Sequence, residues 1–131
     1  MPDASPFRTW SGREPWEFVD GVHLHAIGGE QVLLCKVQYD AGKQVPWHAH
    51  EDTEQVMFII DGSVEMTIDD ETKLLVAGDV VVVNRGQHHK LYSENGVTFM
   101  EALAPVPLDH VPDKAADLVL GPDGGAQHVE K

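Results

Sequence analysis

Only one cysteine, Cys35, occurs in this sequence, so no disulfide within the chain can staple it. Basic residues are scarce as well. Nine Lys and Arg stand against 22 Asp and Glu, for a formal net charge of -13. A field of that sign repels phosphate backbones and anionic lipid headgroups, which argues against nucleic-acid and membrane-surface partners. It leaves a small-molecule substrate open, because a metal ion inverts the field within its own pocket. No uncharged apolar run approaches the roughly 18 residues that a membrane helix needs. The first dozen residues lack the basic and apolar regions of a secretory signal, so a reducing, cytoplasmic setting is expected. Internal repeats and low-complexity blocks are missing too.

What is present is a 131-residue chain with 42% hydrophobic residues, the size and composition of one globular domain. Residues 1–15, with Pro2, Pro6 and Gly12, read as an N-terminal arm. Residues 16–112 read as a small antiparallel β-barrel, and 113–131 as a C-terminal tail. Short apolar runs cut by turn residues carry the all-β reading. They fall at 16–19, 22–27, 31–39, 44–48, 54–60, 63–68, 73–76, 80–83, 88–92 and 97–103. Asp61-Gly62 suits the positive φ angles of a hairpin turn. Val64, Met66 and Ile68 alternate with Glu65, Thr67 and Asp69, as on a strand with one wet face. The unbroken run Val80–Val83 instead predicts burial on both faces. Pro105, Pro107 and Pro112 forbid a regular central strand beyond 105. Residues 113–120 could form one or two helical turns, and 121–131 a mobile tail.

Histidine supplies the chemistry. His48 and His50 are two apart, a spacing that puts both side chains on one face of a strand. Two imidazoles from one strand make half of a metal site, and neighbouring strands of a barrel can supply the rest. Glu54 and Gln55 point to opposite faces of the next strand, so one of them can look inward. The same holds for His88 and His89. Set against this, a lone His-x-His pair is more often a polar strand feature than a ligand pair. His23 and His25 also share a face, but nothing completes a site around them. His110 and His128 carry no signal, and Cys35 reads as a packed small hydrophobe.

Two interlocking spacings resemble the cupin superfamily. Gly42, five residues, His48-Ala49-His50, four residues, Gln55, six residues and Gly62 resemble its first motif. Gly78 to His89, in which Gly86 is followed by two residues and then His89, resembles its second. The resemblance implies a cupin-type barrel holding one divalent transition metal on His48, His50, Gln55 and His89. The usual glutamate is Gln55 here and the usual proline is Asn84. Three imidazoles and a neutral amide leave the metal without a protein anion, which favours Lewis-acid chemistry. Imidazole and oxygen ligands suit Zn, Fe, Mn, Ni or Cu.

The region around Glu101, followed by Ala102-Leu103-Ala104-Pro105, resembles the small cupins of pectin and uronate degradation. There an acidic residue of the last strand works beside the metal, which implies Glu101 as a general acid/base. A charged residue on the solvent face of a strand is the competing reading for Glu101. Those enzymes carry an arginine shortly after the proline, absent from Pro105 to His110 here. The same stretch also resembles polyketide cyclase cupins, and Trp47, Met57, Phe99 and Met100 could line an apolar pocket. Three functions follow as expectations: a non-redox isomerase, lyase or cyclase acting on an enolisable carbonyl compound, an Fe(II)-dependent dioxygenase, or a non-catalytic ligand-binding cupin. Pairing through an edge strand at 31–39 would give a homodimer.

Overall fold

The structure is a computed structural model and describes residues 6–106, 116–120 and 126–130. Alternating burial builds its strands. β1 spans Trp16–Val19, β2 Val22–Gly28 and β3 Leu33–Tyr39. β4 (Lys43–His48) precedes a long β5 (Glu54–Ile68), then β6 (Glu71–Val76) and β7 (Val80–Val83). β8 (His89–Ser93) and β9 (Val97–Ala104) follow, with β10 (Ala116–Leu120) and β11 (Ala126–Glu130) last. All pairings are antiparallel and run in the order β11-β10-β2-β3-β9-β5-β8-β4. β1 adds to β2, while β6 and β7 each add to β5. Among the described residues there is no helix, and the expected all-β barrel is what forms.

β5 serves both walls of the barrel. Its first half pairs with β9 and β7, and its second half, from Ser63, with β6 and β8. Asp61-Gly62, expected as a hairpin turn, instead lies inside this continuous strand at a register shift. The dipeptide bends the strand from one wall to the other, the corner role of a bulge. Gly62 has φ +79°, and a Cβ there would collide with the Gly96 carbonyl and Val97 backbone. The local turn signal was real, but long-range pairing on either side decided its use.

Interior positions line up across the strands. Leu24, Val37, Phe99 and Ile59 form one row, and Ala26, Cys35, Glu101 and Met57 the next. All eight are buried. Burial of a Phe or Leu side chain contributes about 1.5–3 kcal/mol each, so these rows hold the walls together.

Other expectations are corrected. The 31–39 segment is no edge, because β3 lies between β2 and β9. β7 is an edge strand with Val83 buried but Val80 and Val82 exposed, so its valines are not covered on both faces. Residues 116–120, expected as helical turns, form β10, whose Val119 pairs with Ile27 of β2. Residues 126–130 pair back on it as β11. His110 lies outside the described residues.

Candidate metal centre

His48 ends β4 and lies directly across from His89, which opens β8. The ladder between these strands shifts register over Pro46 and Trp47, since Pro46 has no N–H to give it. The Pro46 carbonyl accepts a hydrogen bond from His48 Nδ1 at 2.7 Å. The Gln87 carbonyl likewise accepts from His89 Nδ1 at 3.0 Å. A carbonyl can only accept, so each Nδ1 bears the proton and each Nε2 the lone pair. That is the tautomer a metal takes, held by backbone groups.

The strand stops at His48, so His50 approaches from the turn that follows rather than along the same pleat. Its carbonyl accepts the Gly86 N–H at 2.9 Å, which ties the two motif loops together beside the histidines. The ligating nitrogens of His48, His50 and His89 lie within 4.8 Å of one another. Metal–imidazole bonds are about 2.0–2.1 Å, so small ring shifts bring all three onto one ion. His89 is fully buried, and its Nε2 has no hydrogen-bond partner. Burial, with His48, His50 and His88 nearby, lowers the His89 pKa to about 4, so the ring stays neutral and able to ligate.

The alternatives at the two ambiguous pairs separate cleanly. Gln55 is buried and Glu54 exposed; His89 is buried and His88 exposed. Gln55 Nε2 donates to Glu101 Oε1 at 2.5 Å, which fixes the amide flip and leaves Gln55 Oε1 buried without a partner. Gln55 Oε1 and His89 Nε2 are both buried without a partner, Gln55 lines the same cavity as His48 and His50, and His89 clusters with those two, so the donor set fits a divalent transition metal. Thr53, just ahead of Gln55, donates to the Pro105 carbonyl at 2.8 Å and pins this turn to the end of β9.

Glu101 is buried, and its solvent-facing alternative does not hold. It sits across from Cys35 in the interior row. Burial, and secondarily the Glu101 charge, pushes the Cys35 thiol and the Tyr39 phenol well above their usual ranges. Cys35 is the packed hydrophobe expected from sequence. His48, His50, Gln55, Glu101, Tyr39 and Phe99 share the lining of a cavity of about 40 Å³. A larger groove, about 470 Å³, lies between β6 and β7, and none of the three clustered histidines lines it. His48 and His50 of the cluster line the smaller space, so the convergent donors adjoin it and not the groove.

Of the expected apolar pocket residues, Phe99 lines the cavity and Met57 is core. Trp47 is exposed, with the Lys90 ammonium 5.2 Å from its ring centre. Met100 belongs to the outward-facing set of β9. His23 bonds Asp40 and His25 the Arg13 carbonyl, away from the cluster. Sequence reasoning missed Tyr39, whose place depends on β3 pairing, and Gln87. The Gln87 side chain accepts from the Asn84 N–H at 2.9 Å and donates to Asp69 at 3.0 Å. This use of the residue 84 N–H explains why asparagine can stand where proline is usual, since proline has none to give.

Residues 35–101 match the family model described as "Cupin domain", and the chain belongs to that family. Three curated relatives are distant. Quercetin 2,3-dioxygenase of Bacillus subtilis is 38% identical over 60 residues, 46% of this chain but 17% of that protein. The pectin degradation protein KdgF of Dickeya dadantii is 26% identical over 94 residues, 70% of this chain and 86% of its own length. The tetracenomycin polyketide synthase protein TcmJ of Streptomyces glaucescens is 26% identical over 92 residues, 66% of this chain and 62% of TcmJ. The chain thus spans only a minor part of the dioxygenase and less than two-thirds of TcmJ. Among solved structures, an RmlC-like cupin from Shewanella frigidimarina superposes with a TM-score of 0.75 at 22% identity, covering 85% of this chain and all of that one. KdgF from a Halomonas species gives 0.74 at 18%, covering 81% and 98%. These likenesses establish the fold.

Proposed function

We propose that this cupin is a metal-dependent enzyme that performs non-redox isomerase, lyase or cyclase chemistry on a small enolisable carbonyl compound. The observation that carries this reading is the Gln55–Glu101 hydrogen bond beside the three histidines. It leaves an amide oxygen, rather than a carboxylate oxygen, buried without a partner on this wall. Glu101 is held as a separate carboxylate on the same cavity wall. The proposed ligands are His48, His50, Gln55 and His89, and a divalent metal bound there supplies Lewis acidity for a carbonyl or carboxylate oxygen. Glu101 is the proposed acid/base, taking a proton from the carbon next to that carbonyl and returning it. Tyr39 and Phe99 pack the wall behind and keep water out.

A cavity of about 40 Å³ takes only the reacting end of a substrate. The similarity to the pectin degradation protein KdgF over 70% of the chain favours a sugar acid or similar small molecule. The test is solvent deuterium exchange at the α-carbon across a panel of keto and uronic acids, run without oxygen on Zn- and Mn-loaded protein. Exchange is expected, and Glu101→Gln should lose it by about 10²–10⁴-fold while keeping its metal.

The likeness to quercetin 2,3-dioxygenase favours one second reading, an Fe(II)-dependent dioxygenase. Oxygen uptake coupled to substrate loss in the Fe(II) form, with no anaerobic exchange, would decide for it and against the first.

A further inference from the structure

Among the described residues that line the small cavity, only Phe18 and His48 are half-exposed, and the others are buried. Phe18 belongs to β1 and His48 ends β4. Each of these strands is paired along one side alone, β1 with β2 and β4 with β8. The cavity therefore meets solvent at the seam between two open strand edges, with a phenyl ring on one lip and an imidazole on the other. The chain bulges where the ring sits. Glu17 pairs with His23 and Val19 with Val22, so Phe18 is the inserted residue of that ladder. Strict alternation would send Phe18 and Val19 to opposite faces, yet both pack against the core. A bulge on an edge strand re-aims a side chain in this way, and bulges are common beside active sites.

Building on the carbonyl chemistry proposed above, we propose that Phe18 is the gate and the size-selecting residue of this cavity, its ring packing on the uncharged C–H face of a substrate whose carbonyl end reaches the histidines. Leu24, Val37, Val45, Leu91 and Phe99 wall the space that Phe18 shares with His48, His50, Gln55 and Glu101, and no lysine or arginine lines it. A charged group on the substrate has a counterpart only at the histidine end, so the portion beneath the ring is uncharged. A space of about 40 Å³ holds the reacting end alone, and the rest of the molecule crosses the lip. The ring swings aside for that passage and then settles against what has entered. β1 suits the task because a single ladder holds it. Leu24, Val37 and Phe99 sit in strands paired on both sides and form the fixed part of the wall.

Two measurements on the full chain, wild type and Phe18→Ala, test the gate. Zn-loaded protein is assayed without oxygen for α-deuterium exchange into 2-oxobutyrate and 2-oxo-4-phenylbutyrate. Phe18→Ala should shift the ratio of kcat/KM toward the phenyl compound by about tenfold, chiefly through KM. Metal-free protein is followed by NMR under dissolved oxygen gas, whose paramagnetism relaxes the methyl groups it reaches. Relaxation at Leu24 and Val37 should rise in Phe18→Ala, while that at Val64, which does not line the cavity, stays constant. Phe18→Met, closer in volume, should move both readouts the same way by less if the alanine variant folds poorly. Unaltered relaxation at Leu24 and Val37 overturns the gate. A substrate ratio that stays fixed while relaxation rises overturns the size selection and the proposal with it. A wild type that exchanges neither compound counts against the carbonyl chemistry, and the relaxation result then decides the gate by itself.

Discussion

The Gln55 side-chain amide and the Glu101 carboxylate meet at 2.5 Å in the barrel interior, with the amide nitrogen as donor. The pair joins β5 to β9 diagonally, since Gln55 lies opposite Leu103 and Met57 opposite Glu101. Its polarity decides what each residue can do. The amide oxygen is left buried without a hydrogen-bond partner, while the carboxylate accepts from the amide nitrogen.

Gln55→Glu would put two carboxylates at that separation. Two buried like charges cannot both ionise, so one of them takes a raised folded-state pKa. A raised pKa gives stability at low pH that is lost as pH rises. The metal-free variant should therefore be less stable than wild type at pH 8 by about 3 kcal/mol, from roughly two pKa units at 1.36 kcal/mol each, and near wild type at pH 4. Thermal unfolding of both proteins across pH checks this, and added metal should reverse the deficit.

His89 makes the opposite pH dependence in the wild type. Its folded pKa of about 4 lies below the ordinary value of 6.5, so the unfolded chain binds the proton more readily. Metal-free protein should lose stability as pH falls from 6.5 toward 4 and show no further loss from this residue below that window. His89→Asn should flatten the slope in urea unfolding, since no titrating ring remains there.

Gln87 is expected to act on the metal through His89. Its carbonyl orients the ring, and its side chain anchors the turn at Asn84 and Asp69. Gln87→Ala should weaken metal affinity by about 10-fold with the fold intact, within the range for groups that hold ligands. His48→Ala should remove stoichiometric metal altogether. Competition titration with a chromophoric chelator separates the two.

Gly62→Ala tests the corner of β5. A methyl group would meet the Gly96 carbonyl while the backbone holds φ +79°. The left-handed conformation alone costs about 1–2 kcal/mol in an L-residue. Chemical denaturation should show a loss of more than about 2 kcal/mol, larger than for Gly78→Ala, where a Cβ meets nothing within 4 Å despite its positive φ.

The clustering of three histidines in the candidate site was legible because its spacings are local. His48, His50 and the Gly86-to-His89 step are set by short stretches of chain. The choice of Gln55 over Glu54 rested on the six-residue step to Gly62, and strand parity agrees with it. What was not legible depends on partners distant in sequence. Asp61-Gly62 has the composition of a turn, but pairing of β5 with β9, β8 and β6 stretches it into a strand. Val119 of β10 pairs with Ile27, some ninety positions away, which no local propensity reports. Tyr39 enters the cavity for the same reason: only the β2–β3–β9 register turns it inward.

β5 has a consequence for how the centre behaves as a machine part. His48 and His89 belong to one wall, and Gln55 and Glu101 to the other. The strand carrying Gln55 is also the strand whose Ile68 sits across from His89. A single bent rail therefore sets the gap between the two jaws of the site. Gly62 lies between Gln55 and Ile68 on that strand, so its elbow falls on a covalent path that joins the two jaws.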